Sequence, residues 1–179
     1  QMMKQYIPDE LFSGYAVIVD AYVGLHKYDS ALICAKKSLE LLKANNALYN
    51  GTGDNTKYAK SQVYVYLGEA FEANGAYDSA QYYYRLSIPF SDYLNLKIYK
   101  MNAYNGISKS FKEKNNFDSA IWYVNKVLQE KLSNSYPAGK LKAVNLLADI
   151  YEAQNNTDSS LKYLRIAVNL KDSIYNREK

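Results

Sequence analysis

The sequence predicts an all-α solenoid of about four helix pairs with a period near 40 residues, and three observations lead there. The first is a recurring tetrapeptide. Tyr28-Asp29-Ser30-Ala31 returns as Tyr77-Asp78-Ser79-Ala80, as Phe117-Asp118-Ser119-Ala120 and, more loosely, as Thr157-Asp158-Ser159-Ser160. Its last residue, the anchor, falls at 31, 80, 120 and 160, so the spacings are 49, 40 and 40. Self-similarity at such a spacing marks stacked supersecondary units. The second observation is an apolar stripe before each anchor. The four sets are Tyr15, Ile18, Val19, Tyr22; Tyr64, Leu67, Gly68, Phe71; Tyr104, Ile107, Ser108, Phe111; and Val144, Leu147, Ala148, Tyr151. Each runs i, i+3, i+4, i+7, one face of an α-helix. The third is the residue five before each anchor: His26, Gly75, Asn115 and Asn155. These types tolerate the left-handed backbone that ends a helix.

Each unit is therefore a helix, a tight turn and a second helix. In order, the pairs are 11–25 with 29–45, 57–73 with 78–88, 92–114 with 118–132, and 138–154 with 158–175. The repeats span about 11–45, 57–90, 92–132 and 138–175, within a single domain covering 1–179. Asp9, after Pro8, caps the first helix, and Gln1–Ile7 reads as the tail of an earlier one. Asp29, Asp78, Asp118 and Asp158 are placed as N-caps, because a carboxylate accepts from the free amides of a helix start. The apolar face of the second helix is Ala31, Leu32, Ala35, Leu39 and Leu42 in pair one, and Leu161, Leu164 and Val168 in pair four. The longer first spacing fits a surface loop over 46–56, where Asn50-Gly51-Thr52-Gly53-Asp54 is a turn sequence. Pro89 ends or kinks its helix. Pro137 opens one, where proline costs least. The third stripe position is Val19, Gly68, Ser108 or Ala148, small enough for a neighbouring helix to come close.

Composition excludes several classes. The chain is 48% hydrophobic and 22% charged, with a net charge of +4 and no basic block, so it does not read as a nucleic-acid binder. No apolar run reaches the ~20 residues of a membrane span. The start at Gln1, with no signal-peptide pattern, reads as a fragment or a processed chain. The single cysteine, Cys34, rules out an intrachain disulfide and a CxxC metal site. The single histidine, His26, rules out a histidine metal cluster or a Ser-His-Asp triad. Cys34 with His26 across the turn is the only nucleophilic pairing on offer, and packing is the stronger reading. Gly51-Thr52-Gly53 lacks the strand-then-helix setting of a phosphate loop. No catalytic residue, cofactor or metal is expected. Tyrosine is over-used at 20 of 179 residues, a type that fills gaps between helices while its hydroxyl reaches water.

Gly68, Phe71, Gly75, Tyr77 and Ala80 carry a resemblance to the tetratricopeptide repeat (TPR) family, whose pattern is small residue, aromatic, Gly-Tyr turn and alanine. It extends over almost the whole chain. It implies a right-handed α-solenoid of TPR-like helix pairs and a function in protein or peptide binding. The period departs from the family's ~34 residues. Six extra residues add ~9 Å of helix per repeat. The fourth repeat, with Thr157 and Ser160 at the aromatic and alanine positions, is degenerate, as terminal repeats often are. The segment Asn169–Lys179 is similar to the one closing the TPR region of certain bacterial signalling regulators. There, the repeats precede a helical linker and a histidine kinase or helix-turn-helix domain. That resemblance implies a sensor region, outside the inner membrane on the periplasmic side; without it, a cytoplasmic chain is expected.

A TPR groove is lined by the first helix of each pair, on the face away from the packing stripe. Helical spacing places there Ser13, Ala16, Asp20 and Val23; Gln62, Val65, Tyr66, Glu69 and Glu72; Asn102, Asn105, Lys109 and Lys112; and Lys142, Asn145, Asp149 and Glu152. The charge runs acidic, basic, acidic, and Asn105 and Asn145 suit the backbone of a bound peptide. The family's carboxylate clamp for chaperone tails is not expected, since Asn105, Asn145, Lys109 and Lys142 do not reproduce its spacing and Asp149 repels. Two functions remain: a sensor region of a larger bacterial signalling protein, or a free-standing scaffold or assembly adaptor. An enzyme would need a polar pocket around His26 and Cys34.

Overall fold

The computed structural model describes residues 9–49, 53–130 and 136–176. They form α1 (Asp9–Gly24), α2 (Tyr28–Tyr49), α3 (Asp54–Ala73), α4 (Tyr77–Tyr93), α5 (Lys97–Glu113), α6 (Phe117–Gln129), α7 (Pro137–Ala153) and α8 (Thr157–Tyr175). No strand occurs among the described residues. The fold is the all-α array of helix pairs that the repeat predicts. It divides into two compact units, Gln1–Ala103 and Tyr104–Lys179. In the first, α1 packs on α2, α3 on α4, and α3 also against α1 and α2. One buried cluster joins Val19 of α1, Ala31, Ala35 and Leu42 of α2, and Ala59, Val63, Leu67 and Ala70 of α3. In the second, α7 packs on α8 and on α6. Val124, Val127, Ala143, Leu147 and Ile150 are buried there.

The turns follow from the backbone. His26, Gly75, Asn115 and Asn155 have φ of 56°, 72°, 58° and 58°, the left-handed region expected of them. Each donates its amide to the carbonyl three residues back. The next residue donates to the carbonyl five back, that of Tyr22, Phe71, Phe111 or Tyr151. This double bond pattern satisfies the free carbonyls at a helix C-terminus. The stripe's last aromatic thus serves twice, by ring and by carbonyl. A fifth copy, at Asn95 with φ 53°, ends α4.

The N-caps lie two residues before the expected aspartates. Asn116 and Asn156 precede α6 and α8, and their side chains accept from Ser119 N at 3.2 Å and Ser159 N at 3.0 Å. The helix resumes at Tyr28, Tyr77, Phe117 and Thr157, so Asp29, Asp78, Asp118 and Asp158 sit inside the first turn. There a carboxylate meets the positive end of the helix dipole. Asp9 opens α1 as its first residue rather than preceding it. Pro137 occupies the first turn of α7 as predicted.

Two boundaries differ. α2 continues to Tyr49, shortening the loop expected over 46–56, of which 50–52 lie outside the described residues, as does Gln1–Ile7. α4 runs through Pro89 to Tyr93, so α5 begins at Lys97 and not at 92. Tertiary contacts hold that last turn. Buried Ser91 donates to Ser87 O at 3.1 Å and shares a 2.6 Å hydroxyl bond with Ser61 of α3. Beyond the turn, Lys100 pairs with Asp92 at 2.8 Å.

The tyrosine excess has a structural place. Phe71 stacks on Tyr83 (centroids 5.4 Å, planes 5° apart), Phe111 on Tyr123 (5.7 Å, 19°) and Tyr151 on Tyr163 (5.5 Å, 2°). Tyr64 and Tyr104 flank the first two stacks at 6.3 and 6.0 Å. The second-helix partner stands three residues after the anchor each time; in pair one that residue is Cys34. Cys34 packs against the first unit's core. His26 is engaged by Tyr28, with Nδ1 2.6 Å from its hydroxyl.

Candidate functional site

In the first unit the face of interest is built on α3 and the start of α5. Tyr58 and Tyr99 share a 3.1 Å hydroxyl bond with their rings edge to face, 5.7 Å apart. Burial pushes the Tyr99 phenol well above its ordinary range, and the bond to Tyr58 adds to this. A hydrogen bond with Gln62 acts the other way, and Tyr66 stands close enough to contribute. Tyr66 and Glu69 are half-buried, and Asp20 on α1 is exposed. Glu72 accepts from the Tyr84 hydroxyl at 3.1 Å, so its carboxylate is turned toward the second helix of its own pair. Ala16 and Val65, placed on this face by helical spacing, are buried core residues. α3 packs along α1, and the wheel position of Ala16 meets that neighbour rather than solvent.

In the second unit Lys109, Asn145, Asp149 and Glu152 are exposed. Lys112 pairs with the adjacent Glu113 at 3.3 Å. Asn105 departs from its expected place at the surface. It is 7% exposed, and its amide donates to Gly139 O at 3.0 Å, bridging α5 and α7. The sequence carries no sign of this, because an asparagine reads as polar and solvated unless its acceptor is known. Tyr58 and Tyr99 were also missed, since both lie before the apolar stripe that sets the register. Among the described residues no three His, Cys, Asp or Glu side chains gather in a metal-binding group. None of the described helices is long and apolar enough to cross a membrane.

A solved structure shares this arrangement. The crystal structure of MamA, a TPR-containing protein, superimposes with a TM-score of 0.53. The match covers 89% of this chain and 97% of that one, at 17% sequence identity. The fold is a TPR-like helical repeat. No family model matches the sequence, and neither does any curated protein.

The deepest phenol makes alkaline pH a test of this packing. Tyr84 is 1% exposed; burial first, then the charges of Glu72 and Glu69, hold it neutral far above pH 10. The unfolded chain ionises near pH 10 and the folded one does not, so stability is complete below that pH and drains above it. The slope is ~1.4 kcal/mol per pH unit for a fully shifted group. Tyr99 acts in the same direction but is partly solvated, so its share is smaller. Urea midpoints between about pH 8 and 11 should fall beyond 10, and Tyr84→Phe should flatten the decline. An unchanged slope in that variant would contradict the assignment.

Proposed function

We propose that this chain is a non-catalytic module that binds a protein or peptide segment along its first-helix faces. The observation that carries the reading is the strip Tyr58, Tyr66, Glu69 and Tyr99, which stays partly open to solvent although it lies beside the core. Tyrosines there offer large apolar area, rigid geometry and hydroxyl groups to an incoming backbone. In the first unit Glu69 adds negative charge beside the tyrosines, and in the second Lys109 and Lys112 add positive charge to the face of α5. The test is selection of binders from a random-peptide library displayed on phage, followed by affinity measurement on the enriched peptides. Lys109→Glu with Lys112→Glu should weaken binding about tenfold or more with the melting temperature nearly unchanged; Tyr66→Ala should weaken it as well and also lower the melting temperature, because the ring packs against the core. Lost stability in the lysine variant would mean these side chains serve packing.

The likeness of Asn169–Lys179 to the end of bacterial regulator TPR regions supports a finer reading, in which the module is the regulatory region of a larger signalling protein. An antibody to the chain should then detect in source cells a polypeptide well above 20.4 kDa that also carries a kinase or DNA-binding domain. Detection only at the size of this chain would count against it.

A further inference from the structure

Building on the peptide-binding reading above, on which this rests, we infer that the tyrosine strip of the first unit takes a proline-rich segment in the extended polyproline conformation. Tyrosine rings hold its apolar faces, and a hydroxyl donates to its carbonyls. The residues concerned, Tyr58, Gln62, Tyr66 and Tyr99, all lie within the first unit. On α3, Tyr58, Gln62 and Tyr66 stand at i, i+4 and i+8, one line along the helix. The two tyrosines are thus ~12 Å apart along its axis. Tyr99, at the start of α5, meets the Tyr58 end of that line.

The polar groups of the strip have a direction. Tyr58 and Tyr99 bring two hydroxyl hydrogens together, and the 3.1 Å bond between them uses one. Tyr99 is the more enclosed of the two, and the Gln62 side chain bonds to its hydroxyl. That bond favours the ionised phenol, as a hydrogen donated by the amide does. With Gln62 donating to its oxygen, Tyr99 gives its own hydrogen to Tyr58. Tyr58 is 37% exposed, and its hydrogen is left to point outward. The chain from Gln62 through Tyr99 to Tyr58 ends in a donor at the surface.

A ligand that suits such an end supplies acceptors. Ordinary peptide segments bring as many amide donors as carbonyls. Proline brings the carbonyl alone. Its polyproline helix bonds none of those carbonyls internally and rises ~3.1 Å per residue, so about four residues cover the distance from Tyr58 to Tyr66. The pyrrolidine rings present apolar faces to the tyrosines, and aromatic-lined grooves recognise such segments on other folds. The stiff ligand also has little freedom to lose on binding. A helical ligand spends its carbonyls on its own amides, and an added β-strand needs a sheet edge that α3 does not offer.

Isothermal titration calorimetry of the whole chain with octaproline, blocked at both ends, reads the outcome. Octaproline should bind with a Kd of about 1 mM or tighter. A blocked glycine–serine octapeptide, flexible and without rings, should bind at least about tenfold more weakly. Tyr58→Phe keeps the ring and removes the outward donor, and should weaken octaproline binding about fivefold. Tyr82→Phe, at an exposed tyrosine on α4, should leave it unchanged. Octaproline that does not bind overturns the inference. So does equal affinity for the two peptides, or equal binding by the parent and Tyr58→Phe. The phage selection separates this from the broader reading. Enriched peptides that bind without proline, with octaproline silent, overturn the ligand class and leave peptide binding standing; if neither binds, both fall.

Discussion

Ala80→Arg should remove roughly 3–5 kcal/mol of stability, enough to unfold much of the protein at room temperature if its total is near the low end of the ~5–15 kcal/mol typical of domains. Ala80 is fully buried where α4 crosses α3. At the same register in the next repeat, Ser108 Oγ donates to the carbonyl of Ala120 at 2.7 Å, so a side chain as short as serine already spans the gap. A guanidinium has no room in a site closed this tightly, and forcing a charge into it is among the costliest changes a core accepts. Ala153→Arg, on an exposed position of α7, is the control and should shift stability by less than about 0.5 kcal/mol. Urea unfolding of both variants decides the matter. An Ala80→Arg protein with the parent's midpoint would show that the repeat register is wrong.

That register was legible because its key positions demand something few residues supply. A left-handed backbone accepts Gly and Asn readily, and His26, Gly75, Asn115 and Asn155 all adopt it. The apolar stripes were legible because burial tolerates little else. The N-caps were misplaced by two residues, because the invariant Asp of the tetrapeptide drew the cap assignment. The residues that hold the cap position are Lys27, Ala76, Asn116 and Asn156, and only the last two can accept a bond by side chain. The continuation of α4 past Pro89 was hidden because it rests on Ser61 meeting Ser91, 30 residues apart.

The candidate face was the least legible part. A helical wheel separates the stripe that meets the helix's own partner from everything else. It does not separate the solvent face from the strip that meets the next repeat. Ala16, Val65 and Asn105 share one wheel position, 15 residues before the anchor, and all three are buried. Asn145 holds that position in the last repeat and is exposed, with no further helix pair after α8 among the described residues. Lys109, Asp149 and Glu152 lie further round the helix and are exposed where the wheel puts them.

Gly68→Ala should destabilise the protein by about 1–2 kcal/mol, against the usual sign for that substitution in a helix. In an ordinary helix interior alanine is better than glycine by ~1 kcal/mol. Here a Cβ on residue 68 would lie 2.5 Å from Cδ1 and Cε1 of Tyr84 and 2.8 Å from Cγ. The ring is rigid and fully buried, and its hydroxyl is held by Glu72, so it cannot swing aside. Overpacking of this kind costs ~1–3 kcal/mol and outweighs the propensity gain. The repeat shows how the fold balances this contact. Twelve residues before and four after the anchors stand Val19 with Ala35, Gly68 with Tyr84, Ser108 with Val124 and Ala148 with Leu164. The smallest member of the first-helix series faces the largest of the second. Tyr84→Leu alone should leave a cavity and cost ~2 kcal/mol or more. Gly68→Ala with Tyr84→Leu installs the pair of the fourth repeat, and the added methyl then fills part of that cavity. The double variant should be more stable than the sum of the two single changes predicts, a coupling of about 1 kcal/mol or more in a double-mutant cycle. Strict additivity would mean that something other than the Tyr84 ring excludes a side chain at residue 68.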